Sequence, residues 1–346
     1  MLFTSDNWAG VHPTILEAIA RVNTGDAPPY GNDDETAALK ADFEALFGEV
    51  HAMGLVATGS AANALALACL TDPWGAVLCH ADGHIHLDEC GAPEFFTGGG
   101  KLVPVAGDAG KLTPDGVEQT LAFFTPQQPH RVTPQVLSLT QGTEAGTVYT
   151  LEELKALKVV AENYNLRLHM DGARLGNALV ALGCSARDAV RDVGVDVLTF
   201  GATKNGCLAA ETILFLNPAG ADQLQWRQKR AGQVFSKNRF FAAQWRAYLQ
   251  DDLWLQLASE ANDAAKSLRD ILSQVDRLKL PLPTEINEVF AVMDDALVER
   301  LRAKGAQFYD WIQPSDPYDG QLRRFVTSFR TSTEDLKQFE NELHTA

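Results

Sequence analysis

Residues 166–174 read Leu-Arg-Leu-His-Met-Asp-Gly-Ala-Arg, and residues 197–206 read Val-Leu-Thr-Phe-Gly-Ala-Thr-Lys-Asn-Gly. In each stretch a short apolar run leads into small residues and one chemically active side chain, Asp171 or Lys204. This pattern is typical of a buried strand that ends in a loop. The separation of 33 residues between Asp171 and Lys204 fits one crossover unit. We therefore expect both side chains at neighbouring strand ends of a parallel sheet.

The same alternation of short apolar runs and longer helical patterns continues on both sides of these stretches. It predicts strands at 54–57, 76–79, 102–105, 136–139, 166–170, 197–200 and 212–215. Such a rhythm indicates an α/β fold with a mostly parallel central sheet.

Beyond about residue 220 the strand rhythm fades. Helical patterns follow at 240–248 and 253–272, then an α+β pattern with strands at 288–293 and 325–329. The predicted organisation is an N-terminal arm, a large domain and a smaller C-terminal α+β domain, at 1–29, 30–240 and 241–346.

Composition narrows the range of partners. The chain has 346 residues, 46% of them hydrophobic, and a formal net charge of −16 at pH 7. Nucleic acids and anionic membranes are recognised through clusters of Lys and Arg, so neither is expected as a partner. The five cysteines lack CxxC spacing, and no zinc site or disulfide framework is expected. The N-terminus shows no signal-peptide pattern, which predicts a cytoplasmic protein.

One further segment suits an anion. Thr58-Gly59-Ser60-Ala61 lies between a predicted strand and the helical run 64–70. Small residues let backbone N–H groups approach a phosphate, and a helix N-terminus favours negative charge. The segment matches neither a Walker A nor a dinucleotide-binding glycine pattern, so an ordinary strand–helix connection is the alternative.

A histidine-containing segment has two interpretations. In His84-Ile-His86-Leu-Asp88-Glu89, the histidines would share a face on a strand and could hold a metal, but on a helix they would not. Stacking of one imidazole on a flat ligand is the other interpretation. We expect no metal.

Together these residues meet the needs of pyridoxal 5'-phosphate (PLP). A lysine among small residues can attack a carbonyl carbon and form a Schiff base, which is the role expected for Lys204. Asp171 would keep the pyridine nitrogen protonated, although an aspartate before a helix can also be a cap. The Gly59–Ala61 turn would cradle the phosphate, and His84 would stack on the ring.

The chain resembles the L-threonine aldolases, which are PLP enzymes of fold type I, the aspartate-aminotransferase-like fold. The resemblance is carried by His169-Met-Asp-Gly-Ala-Arg174 together with Lys204 in Phe200-Gly-Ala-Thr-Lys-Asn-Gly206. Further family motifs are resembled by Thr4-Ser5-Asp6, Tyr30-Gly31 and Thr58-Gly59-Ser60-Ala61-Ala62-Asn63. Leu2-Phe3-Thr4 departs from the family's opening. The segment 84–94 points to the branch with low-specificity and phenylserine aldolases.

The resemblance implies a set of residues that bind the substrate carboxylate. These are Ser5, Arg174 and Arg324, with Arg330 as a rival to Arg324. Paired arginines suit this role because a guanidinium binds a carboxylate with planar, charge-assisted donors. Arg174 would also contact the phenolic oxygen of the cofactor.

It also implies catalytic and cofactor-binding residues. His84 and His130 would lie near the substrate hydroxyl and, with Lys204 and Asp171, form the catalytic group; the base is either one of these histidines or a water molecule that they hold. Lys229 and Arg230 resemble the region that a neighbouring subunit offers to the phosphate. The implied assembly is a homotetramer with active sites at a dimer interface.

The implied reaction is cleavage of L-threonine or L-allo-threonine, or of related L-β-hydroxy-α-amino acids such as L-phenylserine, to glycine and an aldehyde. Because a histidine takes part, activity should rise through about pH 6–7. Two alternatives remain open at this point. One is another fold type I enzyme, such as a β-eliminating lyase or a serine hydroxymethyltransferase-like protein, and the other is a catalytically silent PLP-binding protein.

Overall fold

A computed structural model describes residues 1–124, 129–311 and 318–344. The strands are β1 Ala52–Val56, β2 Gly75–His80, β3 Lys101–Val105, β4 Thr133–Thr140, β5 Arg167–Gly172, β6 Val197–Gly201, β7 Glu211–Phe215, β8 Glu288–Val292, β9 Tyr309–Asp310 and β10 Leu322–Val326. The helices are α1 Pro13–Val22, α2 Asp34–Phe47, α3 Gly59–Leu70, α4 His84–Leu87, α5 Ala92–Thr97, α6 Pro114–Phe124, α7 Leu151–Asn163, α8 Leu175–Leu182, α9 Leu224–Arg230, α10 Arg239–Leu249, α11 Leu253–Ser273, α12 Asp295–Ala303 and α13 Thr333–His344.

The large sheet has seven strands in the order β1-β7-β6-β5-β4-β2-β3. Strands β2 to β6 pair in parallel, whereas β7 pairs antiparallel with both β1 and β6. The predicted mostly parallel α/β fold is confirmed, and each of the seven predicted strands overlaps an observed one. Because β7 runs against its neighbours, its first residue, Glu211, lies beside the last residues of β1 and β6, Val56 and Gly201.

An aromatic cluster anchors the carboxyl end of β6. The ring centroids of Phe200 and Trp245 are 4.8 Å apart, and Phe43 and Trp254 pack edge-on against Phe200. All four side chains are buried. This packing holds the strand end that leads into Lys204.

The smaller sheet has the order β8-β10-β9 and packs against α11 and α13. The N-terminal segment is tied to it: Val326 donates its backbone N–H to the carbonyl of Phe3 at 2.8 Å, and the Phe3 ring is fully buried. This attachment carries the short 3₁₀ helix Asp6–Trp8 toward the large sheet. The predicted domain boundaries stay a prediction.

One predicted strand is displaced. The expectation at 325–329 was wrong by about three residues, because β10 starts at Leu322 and includes Arg323 and Arg324. The guanidinium of Arg323 is paired with Asp295 and Asp310, and its aliphatic stem is buried. Because an arginine in the sequence does not indicate a buried strand position, the apolar pattern missed the start of β10. Within the described ranges, no helix has the length and apolarity required to cross a membrane.

Candidate active site

A cleft with about 490 Å³ of unfilled space opens at the carboxyl ends of β4, β5 and β6. Five of the predicted site residues line it: Gly59, His84, Asp171, Arg174 and Lys204. Parallel strands end at one edge of the sheet, and the loops that follow converge there. The structure therefore brings together side chains that are up to 145 residues apart in the chain.

Asp171 lies at the centre of a hydrogen-bonded network. Its Oδ2 accepts a hydrogen bond of 2.7 Å from Asn63 Nδ2, and its Oδ1 accepts the backbone N–H of Ala173 at 2.9 Å. Asn63 Nδ2 also donates to Glu89 Oε1 at 2.9 Å, and the same oxygen contacts His84 Nδ1 at 2.9 Å. One amide thus links the Asp171 carboxylate to the imidazole of His84.

The hydrogen bond between His84 and Glu89 affects the pKa of this imidazole and determines which ring nitrogen can contact a ligand. It raises the pKa of His84 above the usual 6.5, against the opposing effect of burial. With Nδ1 bonded to Glu89, Nε2 is the ring nitrogen left for a ligand. His84 and His86 both lie on the single turn α4, where residues two apart do not share a face.

A second layer of polar contacts fixes Asn63 from behind. Thr199 Oγ1 donates to Asn63 Oδ1 at 2.7 Å, so the amide nitrogen must face the two carboxylates. The buried His169 lies next to it, with Nδ1 2.9 Å from Ser138 Oγ. Burial lowers the pKa of His169 to about 4, which keeps this histidine neutral at physiological pH.

Lys204 follows β6 on the short 3₁₀ helix Thr203–Asn205. The Asn205 side chain holds this turn by donating to Tyr248 Oη and to the carbonyl of Trp254, both at 2.8 Å. The Lys204 side chain lies close enough to Asp6 and Glu211 for its charge to favour the ionised form of both carboxyls. The lysine is therefore presented on a rigid turn to an acidic cleft.

The start of α3 forms the opposite wall. Thr58 caps the helix by accepting the N–H of Ala61 at 3.2 Å, and Gly59 lines the cleft. The N–H groups of Gly59 and Ser60 lie in the first turn, where a helix has no acceptor for them. Two free donors and the positive end of a 12-residue helix suit a phosphate group.

Two arginines lie close together beside the cleft, and Arg174 lines it. Arg174 Nε and Nη2 donate to the carboxylate of Asp6 at 2.8 and 3.1 Å. Burial alone would raise the pKa of the Asp6 carboxyl, but Arg174 and Lys204 lower it below its usual range. Asp6 is thus a permanent anionic partner of Arg174.

A buried glutamate joins this arginine to Arg324. Glu288 Oε1 lies 3.4 Å from Arg174 Nη2 and 3.7 Å from Arg324 Nη1, and its side chain is fully buried. Neither Glu288 oxygen has a hydrogen bond to a described residue. Arg324 also lies 4.2 Å from the Trp311 ring centroid. The two guanidiniums are therefore held close together with donors that remain unused.

Other predicted residues lie outside the cleft of their own chain. Ser5 caps the 3₁₀ helix by accepting the N–H of Asn7, and Arg330 is exposed. His130 is exposed and precedes β4, so the length of that strand separates it from the cleft. Lys229 and Arg230 end α9 on the surface, with Lys229 Nζ 5.6 Å from the centroid of the Tyr30 ring. Of the two rival arginines, only Arg324 reaches Arg174 through Glu288.

Sequence reasoning missed six acidic or amide side chains of the site: Asp6, Asn63, Glu89, Glu144, Glu211 and Glu288. Asn63 and Glu89 belong to the quoted motifs, and their polar character within apolar surroundings was an available signal. Glu211 likewise opens an apolar strand. Glu288 opens an apolar strand in the same way, and Asp6 belongs to the quoted Thr4-Ser5-Asp6 segment, but the sequence does not show which arginine either carboxylate meets, because that depends on tertiary contacts.

The residues present fit PLP. An anion site at α3, a carboxylate at Asp171, a free amine at Lys204 and a partly exposed imidazole at His84 match the phosphate, ring nitrogen, carbonyl carbon and ring face of that molecule. For a metal the fit is absent: the described residues contain no group of three His, Cys, Asp or Glu side chains that could hold an ion.

Comparisons with known proteins point to one family. The family model described as beta-eliminating lyase matches residues 3–296. A low specificity L-threonine aldolase from Pseudomonas aeruginosa is 40% identical, over 99% of this chain and 96% of the relative. A second, from a Pseudomonas species, is 40% identical over 90% of this chain and 89% of the relative.

Solved structures give the same answer for the fold. A threonine aldolase from Leishmania major superposes with a TM-score of 0.92 at 27% identity, covering 99% of this chain and 98% of that one. An aspartate aminotransferase from Thermus thermophilus superposes with a TM-score of 0.73 at 18% identity, covering 99% and 95% of the two chains. The second likeness concerns the fold alone and confirms the aspartate-aminotransferase-like architecture.

Proposed function

The chain belongs to the low-specificity L-threonine aldolases within the beta-eliminating lyase family, and from this premise we propose that it is a PLP-dependent aldolase. Its substrates are L-threonine, L-allo-threonine and related L-β-hydroxy-α-amino acids such as L-phenylserine, which it cleaves to glycine and an aldehyde. One observation carries the proposal: a single cleft is lined by Lys204, Asp171 and Arg174, and Arg324 meets Arg174 through the buried Glu288.

The first group of residues holds the cofactor. PLP, when bound, withdraws electrons from the bonds to the amino-bearing carbon, so that one of these bonds can break. Lys204 would supply the amine for its carbonyl carbon. Asp171 would hold the ring nitrogen and favour its protonated form by charge. The N–H groups of Gly59 and Ser60 would hold the phosphate, and His84 would cover the ring.

The second group holds the substrate. Arg174 and Arg324 bind its carboxylate with their remaining donors. With the carboxylate fixed, the bond between the α- and β-carbons can be directed toward the electron-withdrawing ring. Arg174 is well suited because Asp6 already fixes the plane of its guanidinium with two hydrogen bonds.

His84 is the base in this proposal. Its Nε2 takes the proton from the β-hydroxyl as the bond between the α- and β-carbons breaks, so that the β-carbon becomes the aldehyde carbonyl and the α-carbon, once it takes up a proton, completes glycine. Glu89 stabilises the resulting imidazolium through the bond to Nδ1. Since only neutral His84 can accept the proton, activity should rise with pH through its raised pKa. The rise should therefore lie somewhat above the interval expected for an unperturbed histidine.

The assembly belongs to the proposal as well. A homotetramer with active sites at a dimer interface would account for the surface position of Lys229, Arg230 and His130, because a neighbouring subunit could supply them to the cleft. The cytoplasmic location of the protein likewise stays a prediction.

The test is aldehyde release. Purified protein with added PLP is incubated with L-threonine, L-allo-threonine and L-phenylserine, and the aldehyde is measured enzymatically or by absorbance. We expect turnover by the wild type and a loss of at least ~10³-fold in Lys204→Ala. Lys229→Ala is an exposed lysine variant that shows whether the neighbouring subunit contributes.

The two possible failures differ. No aldehyde from PLP-loaded wild type would overturn the aldolase assignment. Equal turnover by wild type and Lys204→Ala would leave the activity but remove the lysine from the mechanism.

A further inference from the structure

Glu211 is a buried acidic residue of the cleft without a role in the proposed reaction. It is the first residue of β7, pairs with Val56 and Gly201 in register, and is 7% exposed. A β-carbon added at Gly201 would lie 2.7 Å from Glu211 Oε2, so the strand approaches this carboxyl closely. The carboxyl also lines the cleft. The fold therefore buries an additional acid beside the cofactor site.

Contacts place the carboxyl at the anion-binding end. A β-carbon added at Gly59, the first residue of α3, would lie 3.9 Å from Glu211 Oε2. On the other side Glu211 is hydrogen-bonded to Thr203, the residue that precedes Lys204. Thr203 is itself fixed, because its Oγ1 accepts the N–H of Ala210 at 3.1 Å. Glu211 thus lies between the helix start and the lysine turn.

The charged groups around it do not balance a carboxylate. The titratable neighbours are Lys204, Asp171, Cys207 and Tyr248, from the lysine turn, β5, the loop after Lys204 and α10. Burial raises the pKa values of the Cys207 thiol and the Tyr248 phenol well above their usual values, so both are neutral. Lys204 favours the ionised form of Glu211, and Asp171 opposes it.

The balance of these effects favours the acid form. Burial raises the pKa of the Glu211 carboxyl to about 7, despite the Thr203 hydrogen bonds and the Lys204 charge. A phosphate group at the start of α3 would add negative charge to the same end of the cleft. Two like charges in a buried site are unfavourable, whereas a neutral carboxylic acid also offers an O–H donor.

We propose that Glu211 controls the affinity for PLP by remaining a neutral carboxylic acid when the phosphate group is bound, so that cofactor affinity falls as Glu211 ionises. The inference rests on the proposed function, because the phosphate belongs to the cofactor assigned there. Apparent affinity is reduced in proportion to the fraction of protein in the binding-competent form. Above about pH 7 that fraction falls about tenfold for each pH unit.

The experiment compares PLP affinity across pH. The dissociation constant is measured by absorbance titration from pH 6.5 to 9 for wild type, Glu211→Gln and Glu152→Gln, an exposed glutamate of α7. Ionisation of the PLP phosphate is common to all three and cancels in the comparison. We expect the wild-type constant to rise roughly tenfold more than that of Glu211→Gln between pH 7 and 8.5. Glu152→Gln should follow the wild type.

Parallel profiles for wild type and Glu211→Gln would overturn the inference. A second readout uses inorganic phosphate alone, which raises the melting temperature if it binds the folded protein. That rise should shrink with pH in wild type and persist in Glu211→Gln; equal behaviour of the two again contradicts the role of Glu211.

The outcomes also separate the two proposals. Absence of PLP binding would overturn both. PLP binding with the expected pH difference, but without aldehyde release from any substrate, would overturn the aldolase function and leave the inference on Glu211 intact.

Discussion

The two ends of the cleft are built in different ways. Around Asp171 the polar atoms meet in hydrogen bonds of 2.7–2.9 Å, supplied by Asn63, Glu89 and His84. Around Arg324 the ion pair with Glu288 has a separation of 3.7 Å, and both Glu288 oxygens lack hydrogen bonds to described residues. Among the buried oxygens of Asp171, Asn63 and Glu89, only Glu89 Oε2 lacks a hydrogen bond to a described residue. The second end also leaves the donor Arg324 Nε without an acceptor among the described residues, which suits a site completed by its substrate.

The first prediction concerns kcat and the end around Asp171, where we expect the largest effect. Asp171→Asn keeps the shape but removes the charge that favours a protonated ring nitrogen. Loss of one preorganised electrostatic contact of this kind costs about 10²–10³ in kcat. KM should change little, and steady-state kinetics at saturating PLP measure both. An unchanged kcat would mean that the carboxylate serves the fold rather than the reaction.

At the end around Arg324, we expect a substitution to change KM. Arg324→Ala removes a charged partner of the substrate carboxylate, and a hydrogen bond to a charged group contributes roughly 1.5–3 kcal/mol, or about 10–150-fold in KM. The matched control is Arg330→Ala, which changes an exposed arginine nearby and should stay within about twofold. Thermal unfolding of both variants reports any loss of stability from Glu288. A larger KM effect in Arg330→Ala than in Arg324→Ala would reverse our choice between them.

The smallest effect should be a displaced pH profile. Glu89→Gln preserves the side-chain shape but removes the carboxylate that raises the pKa of His84. With the partner neutral, the imidazole loses its proton at lower pH, so the rise of kcat/KM should move to lower pH. Profiles of wild type and Glu89→Gln at saturating PLP measure the displacement. A profile that stays in place would remove His84 as the titrating base.

Much of the fold could be predicted from the sequence, because buried strands are short apolar runs bounded by small residues. The apolar pattern that locates β7 carries no information on its direction. Loop length does: the nine residues 202–210 between β6 and β7 are fewer than a parallel crossover needs, which favours an antiparallel pair. The start of β10 could not be predicted, because Arg323 and Arg324 interrupt the apolar pattern of the strand. Their charges are paired with acidic residues of other elements, which the local sequence does not show.

The residues of the candidate site likewise divide into those that the sequence could predict and those that it could not. Asp171 and Lys204 could be placed because each directly follows or ends a strand, and strand ends of a parallel sheet converge. Asp6 could not be placed, and the family resemblance points instead to its neighbour Ser5. The partners of Asp6, Arg174 and Asn287, are 168 and 281 residues away in the chain. Such contacts depend on how the arm and the small sheet dock, which local patterns do not encode.

The long sequence separation between Asp6 and its partners has a consequence for the synthesis of the enzyme. Asp6 is added by the ribosome 282 residues before Glu288, which completes the arginine cluster. At about 5–20 residues per second, roughly 15–60 s separate the two. Throughout that interval Arg174 has at most one of its two carboxylate partners available. Catalytic competence therefore arrives late in synthesis, after the seven strands of the large sheet have emerged.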